Sequence, residues 1–382
     1  MTLARLLRSM EPPFFPYMTW AQTQSGRTPH VLSVSGLPAA DPGLFADLPP
    51  IDLDHPRRTW LPEIEHRLAQ RWNIDPRRVI VCLGASGGMH LAAAAWFRPG
   101  VRVVTDCPSY EPFRALPRRF GADLVVLERR LEERFALRPQ AVEQAIAGAR
   151  SSQAPTAAFF ANPHNPSGAL SSKPELEALG RAVDTLIVCE VYMEWVPEPE
   201  RVHAALLAPN GVSIGSLTKA YGLGPLRAGW LILGEGLVGE RERLVDLLFL
   251  DYVDPPTMSL RAYARALERL ETLARPIHTL KARSRPLLER FLAGTPELEA
   301  WIPEHGFIAF PRVRGLSDTR ELCERLVREH AVDVVPGHFF GAPAHIRIGC
   351  PQPPEMVAAG LERLGAGLRA LTSSLAGAAP RG

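Results

Sequence analysis

The chain has 382 residues, of which 46% are hydrophobic and 22% charged, with a formal net charge of +2. At roughly 100–200 residues per domain, that length carries two or three domains with a sizeable core. So small a net charge gives no electrostatic case for nucleic acid or an anionic membrane as partner.

Five scattered cysteines (Cys82, Cys107, Cys189, Cys323 and Cys350), without CxxC spacing, argue against a disulfide framework or a zinc site and fit a reducing cytoplasm. The opening MTLARLLRSMEPPFF has too short an apolar run for a signal peptide, and no stretch approaches the ~20 apolar residues of a membrane span.

In chain order, residues 1–49 are Pro-rich and irregular, a segment expected to drape over one or both domains. VIVCL (79–83) then leads through a small-residue turn, GASGG (84–88), into the helical MHLAAAAWF. Further short apolar runs come at 101–106, 123–128, 156–161, 185–190, 212–216 and 229–234, with the amphipathic EPFRALPRRF between the first two. Several are apolar on both faces, as strands of a mostly parallel sheet covered by helices must be. The spacing predicts helices across 237–292, broken at Pro255 and Pro256. It then predicts a mixture of strands (GFIAFPRV, VDVVPG, HIRIGC) and helices (318–330, 354–371) before a frayed tail, AGAAPRG. The fold class is therefore α/β, a three-layer αβα large domain at 50–285 with a smaller α+β domain at 286–382.

Three segments at strand ends carry candidate chemistry, where open α/β sheets bind ligands. The GASGG turn offers free backbone N–H groups and a helix dipole to a phosphate. NPHNPSG (162–168) forms a rigid loop presenting Asn165. SLTKAYGLGPLRAG (216–229) places two hydroxyls, a lysine and an arginine within twelve residues. Only Lys173, Lys219 and Lys281 are lysines in a chain whose other basic residues are arginine. Arginine stays protonated, whereas a lysine amine can become a neutral nucleophile. Each segment alone reads better as an ordinary turn or loop.

In this order the segments resemble the class I/II branch of the fold type I aminotransferases, which use pyridoxal 5′-phosphate (PLP), over roughly residues 30–370. The resemblance implies that 50–285 binds PLP and that 1–49 joins the small domain and covers the active site. Lys219 matches the lysine that forms the Schiff base. Arg227, Ser216 and the backbone of Gly84, Ala85 and Ser86 match the phosphate contacts. Asn165 matches the asparagine on the ring 3′-oxygen, and it also reaches the substrate; Tyr192, in CEVY, shares the oxygen contact. Tyr110, in CPSYEPF, matches the ring stacked on the cofactor, with core packing as its other reading. Arg347, in HIRIG, matches the arginine that pairs with the substrate α-carboxylate, against the alternative of an internal salt bridge. The family's active sites form at a dimer interface, so a homodimer is implied.

Two positions depart from the family pattern. The aspartate expected three residues before Tyr192, which keeps the pyridine nitrogen protonated, is replaced by Cys189, and a thiol with an unperturbed pKa of ~8.5 is a poor counter-ion. Glu190 is next to it, but neighbouring strand side chains face opposite ways. Cys189 as a small packed hydrophobe is the other reading. In IDLDHPRRTWLPEIEHRLAQ (51–70) the family often has a tyrosine for the partner's cofactor phosphate. This chain has none there, and His55 is not assigned that role.

The resemblance therefore implies an aminotransferase acting between an α-amino acid and a 2-oxo acid. Cys189 keeps open another fold type I activity: a β- or C–S lyase, a decarboxylase, or a biosynthetic cyclase or oxidase. A PLP sensor without turnover would need an N-terminal DNA-binding domain, for which the first fifty residues are too short and Pro-rich. No second arginine can be placed for a dicarboxylate substrate. The aromatic FFPYMTW either lines an apolar pocket or packs.

Overall fold

A computed structural model of the protein describes residues 15–48, 59–151 and 153–378. His55 and the tail beyond Ala378 lie outside these. At the centre is a seven-stranded sheet, ordered Val79–Leu83, Ala228–Leu233, Gly211–Ser216, Thr185–Cys189, Thr156–Ala161, Arg102–Cys107, Asp123–Glu128. Ala228–Leu233 runs antiparallel to both neighbours and the other pairings are parallel.

The strand Thr185–Cys189 is buried along its whole length, and its alternate side chains enter two different cores. Ile187 and Cys189 pack with Met89 and Leu91 of the helix Gly84–Trp96 and with Leu244 and Leu248 of Arg241–Asp251. Leu186 and Val188 pack on the other face with Ile146 of Pro139–Ser151 and Leu176 and Leu179 of Lys173–Ala182. Two apolar faces need two helical layers, which is why the run lacks polar alternation.

Beyond the sheet, helices Thr257–Glu268, Leu270–Arg283 and Arg285–Gly294 lead to a three-stranded antiparallel sheet of Ile308–Ala309, Ile346–Gly349 and Val335–Pro336. The helices Arg320–His330 and Pro354–Ala378 pack beside it.

Several expectations are corrected. GASGG is not a separate turn, because the helix begins at Gly84 itself. That glycine reverses the chain in one residue at φ +66, a left-handed conformation that costs it little. The strand expected at 306–313 is split at Pro311, which has no N–H to donate. VDVVPG likewise divides between two pairings. Residues 15–48 are less irregular than their prolines suggest, since Pro16 opens a helix, Pro16–Thr23, at a position where its missing N–H costs nothing. The last helix runs to Ala378, so AGA of the tail is helical.

The N-terminal segment is stitched to the C-terminal elements. His30–Val31 pairs in parallel with Val332–Asp333. The Asp333 carboxylate accepts hydrogen bonds from Gly26 N at 2.8 Å, Leu32 N at 3.0 Å and the Ser33 hydroxyl at 2.9 Å. This fixes residues 33–37 against the end of the central sheet.

Candidate active site

The strands Thr156–Ala161, Thr185–Cys189 and Gly211–Ser216, together with the helix from Gly84, end around a cavity of about 480 Å³. Nine of the expected residues line it: Ala85, Ser86, Tyr110, Asn165, Cys189, Tyr192, Ser216, Lys219 and Arg227. Gly84 and Arg347 do not line it but stand directly behind residues that do. A Cβ on Gly84 would lie 2.7 Å from Arg227 Nη2, so the bare glycine makes room for the guanidinium. Arg227, exposed like Ser86, sits at φ 50 and donates to Leu83 O at 3.5 Å.

Lys219 Nζ donates to the Ser35 hydroxyl at 3.3 Å, and Leu37 N donates to Lys219 O at 2.8 Å. The segment crosses so closely that a Cβ on Gly36 would stand 3.1 Å from Lys219 Cδ. Burial is the largest influence on the amine, followed by the charges of Arg347 and Arg227; together they lower its pKa from 10.5 to about 8. A group in this state is available as a neutral nucleophile or base near neutral pH.

Arg347 is 1% exposed, yet among the described residues no carboxylate pairs with it. Its guanidinium donates to Asn165 Oδ1 (3.1 Å), the Tyr17 hydroxyl (2.9 Å) and Ser33 O (2.9 Å), and it lies over the rings of Tyr17 and Phe340. An internal salt bridge, the alternative weighed from sequence, is not what holds it. Its Nε is buried with no hydrogen-bond partner. A buried cation supported only by neutral groups is poised for an anionic ligand.

Tyr110 lines the cavity and also packs among Phe15, Tyr17 and Phe113. Burial raises its pKa and pushes that of Tyr192 up to about 12, so both phenols stay protonated.

Cys189 lies on the cavity wall, 5% exposed, and burial pushes its thiol up to about 12. It is a neutral neighbour. Glu190 points the other way, as strand alternation requires. Its Oε1 accepts from Ala204 N (2.8 Å) and the Ser213 hydroxyl (2.7 Å), while Oε2 is 2.6 Å from His203 Nδ1. Its capacity is spent on the far side of the sheet.

The residues present fit PLP. The first turn of Gly84–Trp96 has no side-chain cap, leaving its N–H groups to a phosphate beside Arg227. The Thr218 hydroxyl, also on the cavity wall, is buried without a partner. An amine for the cofactor aldehyde lies between them and Arg347.

Sequence reasoning missed Ser35, Thr218, Tyr17 and His164. Tyr17 lies in the FFPYMTW stretch and takes the pocket-lining side of its two readings, with Met18. His164 lies inside NPHNPSG; burial lowers its pKa well below the usual range, leaving it neutral. Its Nε2 donates to Pro108 O at 2.8 Å and its Nδ1 accepts from the Ser167 hydroxyl at 2.6 Å. It thereby ties the Asn165 loop to the turn that carries Tyr110, whose N–H donates to Asn165 O at 3.1 Å. Thr218 was marked only as one of the two hydroxyls in SLTKAYGLGPLRAG, and Ser35 had no motif to mark it beyond the hydroxyl itself.

Comparison with known proteins agrees with this geometry. The family described as aminotransferase class I and II matches residues 55–364. The chain is 33% identical over 302 residues to capreomycidine synthase of Streptomyces vinaceus, covering 75% of this chain and 74% of that one. It is 29% identical over 295 residues to the arginine–pyruvate transaminase AruH of Pseudomonas aeruginosa, covering 74% and 73%. Its fold superimposes on a PLP-dependent aminotransferase from Streptococcus suis with a TM-score of 0.85 at 20% identity, over 94% of this chain and 99% of that one.

Proposed function

The chain belongs to the class I and II aminotransferases, which are PLP-dependent enzymes, and from that membership we propose that it transfers an amino group between an α-amino acid and a 2-oxo acid. The observation that carries the reading is Lys219, a lysine with a depressed pKa on the wall of the cavity at the sheet's end. Lys219 is the point of covalent attachment and then the base that moves a proton from the substrate's α-carbon. Bound there, PLP supplies an aldehyde that captures the amino group and a conjugated ring that draws electrons from the α-carbon.

Arg227, Ser216 and the backbone at Gly84, Ala85 and Ser86 would hold its phosphate. Asn165 and Tyr192 would hydrogen-bond its ring oxygen, and Tyr110 would pack against its ring. Arg347, with Asn165, takes the substrate carboxylate. The same reading assigns 50–285 to the cofactor-binding domain, 286–382 to the small domain and 1–49 to the cover, in a cytoplasmic homodimer. Among the described residues no helix is long and apolar enough to cross a membrane.

The test is a single turnover of the PLP-loaded protein with a panel of amino acids. Transfer releases the 2-oxo acid while the nitrogen stays on the protein until a second 2-oxo acid removes it. Free ammonia in the absence of an acceptor overturns it.

Cys189 favours one second reading. A neutral thiol beside the ring nitrogen makes a weaker electron sink, which penalises full transfer more than it penalises β-elimination, β-replacement or another fold type I reaction. That one relative is named a synthase rather than an aminotransferase is in keeping.

A further inference from the structure

Resting on that reading of the site, the charges and the walls of the cavity bear on which amino acid enters it. The helix Pro16–Thr23 closes one side. Tyr17, Met18, Ala21 and Gln22 face the cavity from it, at the spacing that puts successive turns on one face. The wall is held firmly in place. The Tyr17 N–H donates to Glu111 Oε2 at 3.3 Å, its hydroxyl accepts from Arg347, and the rings of Tyr17 and Trp20 pack against Phe340 and Phe339. Leu37 and Met89 add further apolar surface.

The charged groups on the lining are cationic, Lys219 and Arg227, with Arg347 immediately behind Asn165. Among the described residues no aspartate or glutamate lines the cavity. Glu111 does not line it, and Glu190 is turned to the other face with its oxygens engaged. The field is positive enough for both arginines to disfavour a proton on Lys219.

Both arginines already have a partner within the proposed reaction, Arg227 the phosphate and Arg347 the α-carboxylate. Among the described residues of this chain, a substrate side chain carrying a carboxylate therefore finds no further guanidinium on the lining. One carrying an ammonium or guanidinium finds like charge and, among the same residues, no counter-ion, the costliest arrangement for a buried charge. We propose that the side-chain site formed by the 16–23 helix takes a neutral amino acid with a large apolar or aromatic side chain, and that it rejects arginine, lysine and glutamate. The selectivity is a property of this wall: a relative can share the lysine loop and accept a different side chain.

The experiment follows the absorption band of the lysine-bound cofactor in the PLP-loaded full-length protein as phenylalanine, leucine, methionine, arginine, lysine or glutamate is mixed in. The neutral three should perturb the band with an efficiency at least about 100-fold above the charged three, the discrimination expected when a buried charge is left unpaired. Gln22→Glu changes one exposed side chain at constant size and puts a carboxylate on the wall; it should raise the arginine-to-phenylalanine ratio at least about tenfold. Met18→Glu, one turn earlier on the same face, is the second variant and should act in the same direction.

Arginine or lysine as the fastest reactant in the unaltered protein overturns the proposal, as does an arginine-to-phenylalanine ratio that neither variant moves. The band reports selection of the side chain regardless of the product formed. A protein that captures phenylalanine but releases no 2-oxo acid thus refutes the transfer reaction and supports this assignment.

Discussion

The strand Thr185–Cys189 and the turn after it have two sides, and the sides treat charge in opposite ways. On the side away from the cavity the buried carboxylates Glu190 and Glu194 are matched. Glu190 is bonded by Ser213, Ala204 and His203. Glu194, 8% exposed, is met by Arg71 at 2.5 Å, Arg201 at 3.0 Å and the Tyr221 hydroxyl at 2.8 Å. Those cations hold its carboxyl below the usual range despite burial. On the cavity side stand Cys189, Lys219, Arg227 and the buried Arg347, with cations and no carboxylate among the described lining residues. Charge is neutralised where it holds the fold and left unbalanced where a ligand is to supply the balance. The two sides also meet in sequence: Tyr221 is two residues beyond Lys219, so the matched side anchors the turn that presents the unmatched amine.

The strongest way to break this contrast is to remove the amine. Lys219→Ala should lower turnover by about 10²–10⁴-fold or more, the span lost with a proton-transferring group. Borohydride treatment of the PLP-loaded variant should give no adduct mass, whereas the unaltered protein gains one. An adduct on the variant would move the attachment elsewhere.

Next in size is Arg347→Gln. Loss of a charge-assisted carboxylate contact should raise KM about 10–100-fold. The same substitution has a signature in pH. Burial and two arginines hold the Lys219 amine neutral above about 8, and it protonates and loses nucleophilicity as the pH falls through that value. With one arginine gone the protonated form is less disfavoured, so the rising limb of PLP uptake by cofactor-free protein should move to higher pH. A limb that stays in place, or moves down, separates Arg347 from the lysine.

Lys219 and Arg347 were legible as candidates through the order of several segments that together resemble the family, with Lys219 and Arg227 eight residues apart after an apolar strand and Arg347 within an alternating one; no single segment marked them. The sheet was equally legible, since strands buried on both faces, like Thr185–Cys189, leave unbroken apolar runs. Other features depend on contacts that no local pattern encodes. Ser35 is 184 residues from Lys219 and Tyr17 is 330 from Arg347. Both are brought in by long-range tethers of the N-terminal segment, to Asp333 and the strand Val332–Asp333, to Lys219 O through Leu37 N and to Glu111 through Tyr17 N. The helix Pro16–Thr23 was hidden by its flanking prolines, one of which starts it.

A smaller change sharpens the comparison from the cavity side. Cys189→Asp places a carboxylate where the wall now offers a neutral thiol. It should raise the rate of half-transfer about tenfold, in line with one unit of added basicity at the ring nitrogen. A pyridine ¹⁵N shift towards the protonated value in PLP-loaded protein should accompany it. If the nitrogen shift appears without any gain in transfer, the thiol is not what limits the reaction.

The smallest effect on chemistry is expected one residue further along. Glu190→Gln alters a carboxylate adjacent in sequence to Cys189, yet its side chain lies on the other face of the strand and its partners are Ser213, Ala204 and His203. The amide still accepts from Ser213 and Ala204 but loses the charge that strengthens the contact with His203. The cost should fall on stability, about 1–2 kcal/mol in urea unfolding, with the cofactor spectrum and turnover unchanged. A changed spectrum with unchanged stability would mean that Glu190 acts across the sheet on the ring nitrogen, and the division between a matched and an unmatched side would fail at the residue where the two are closest.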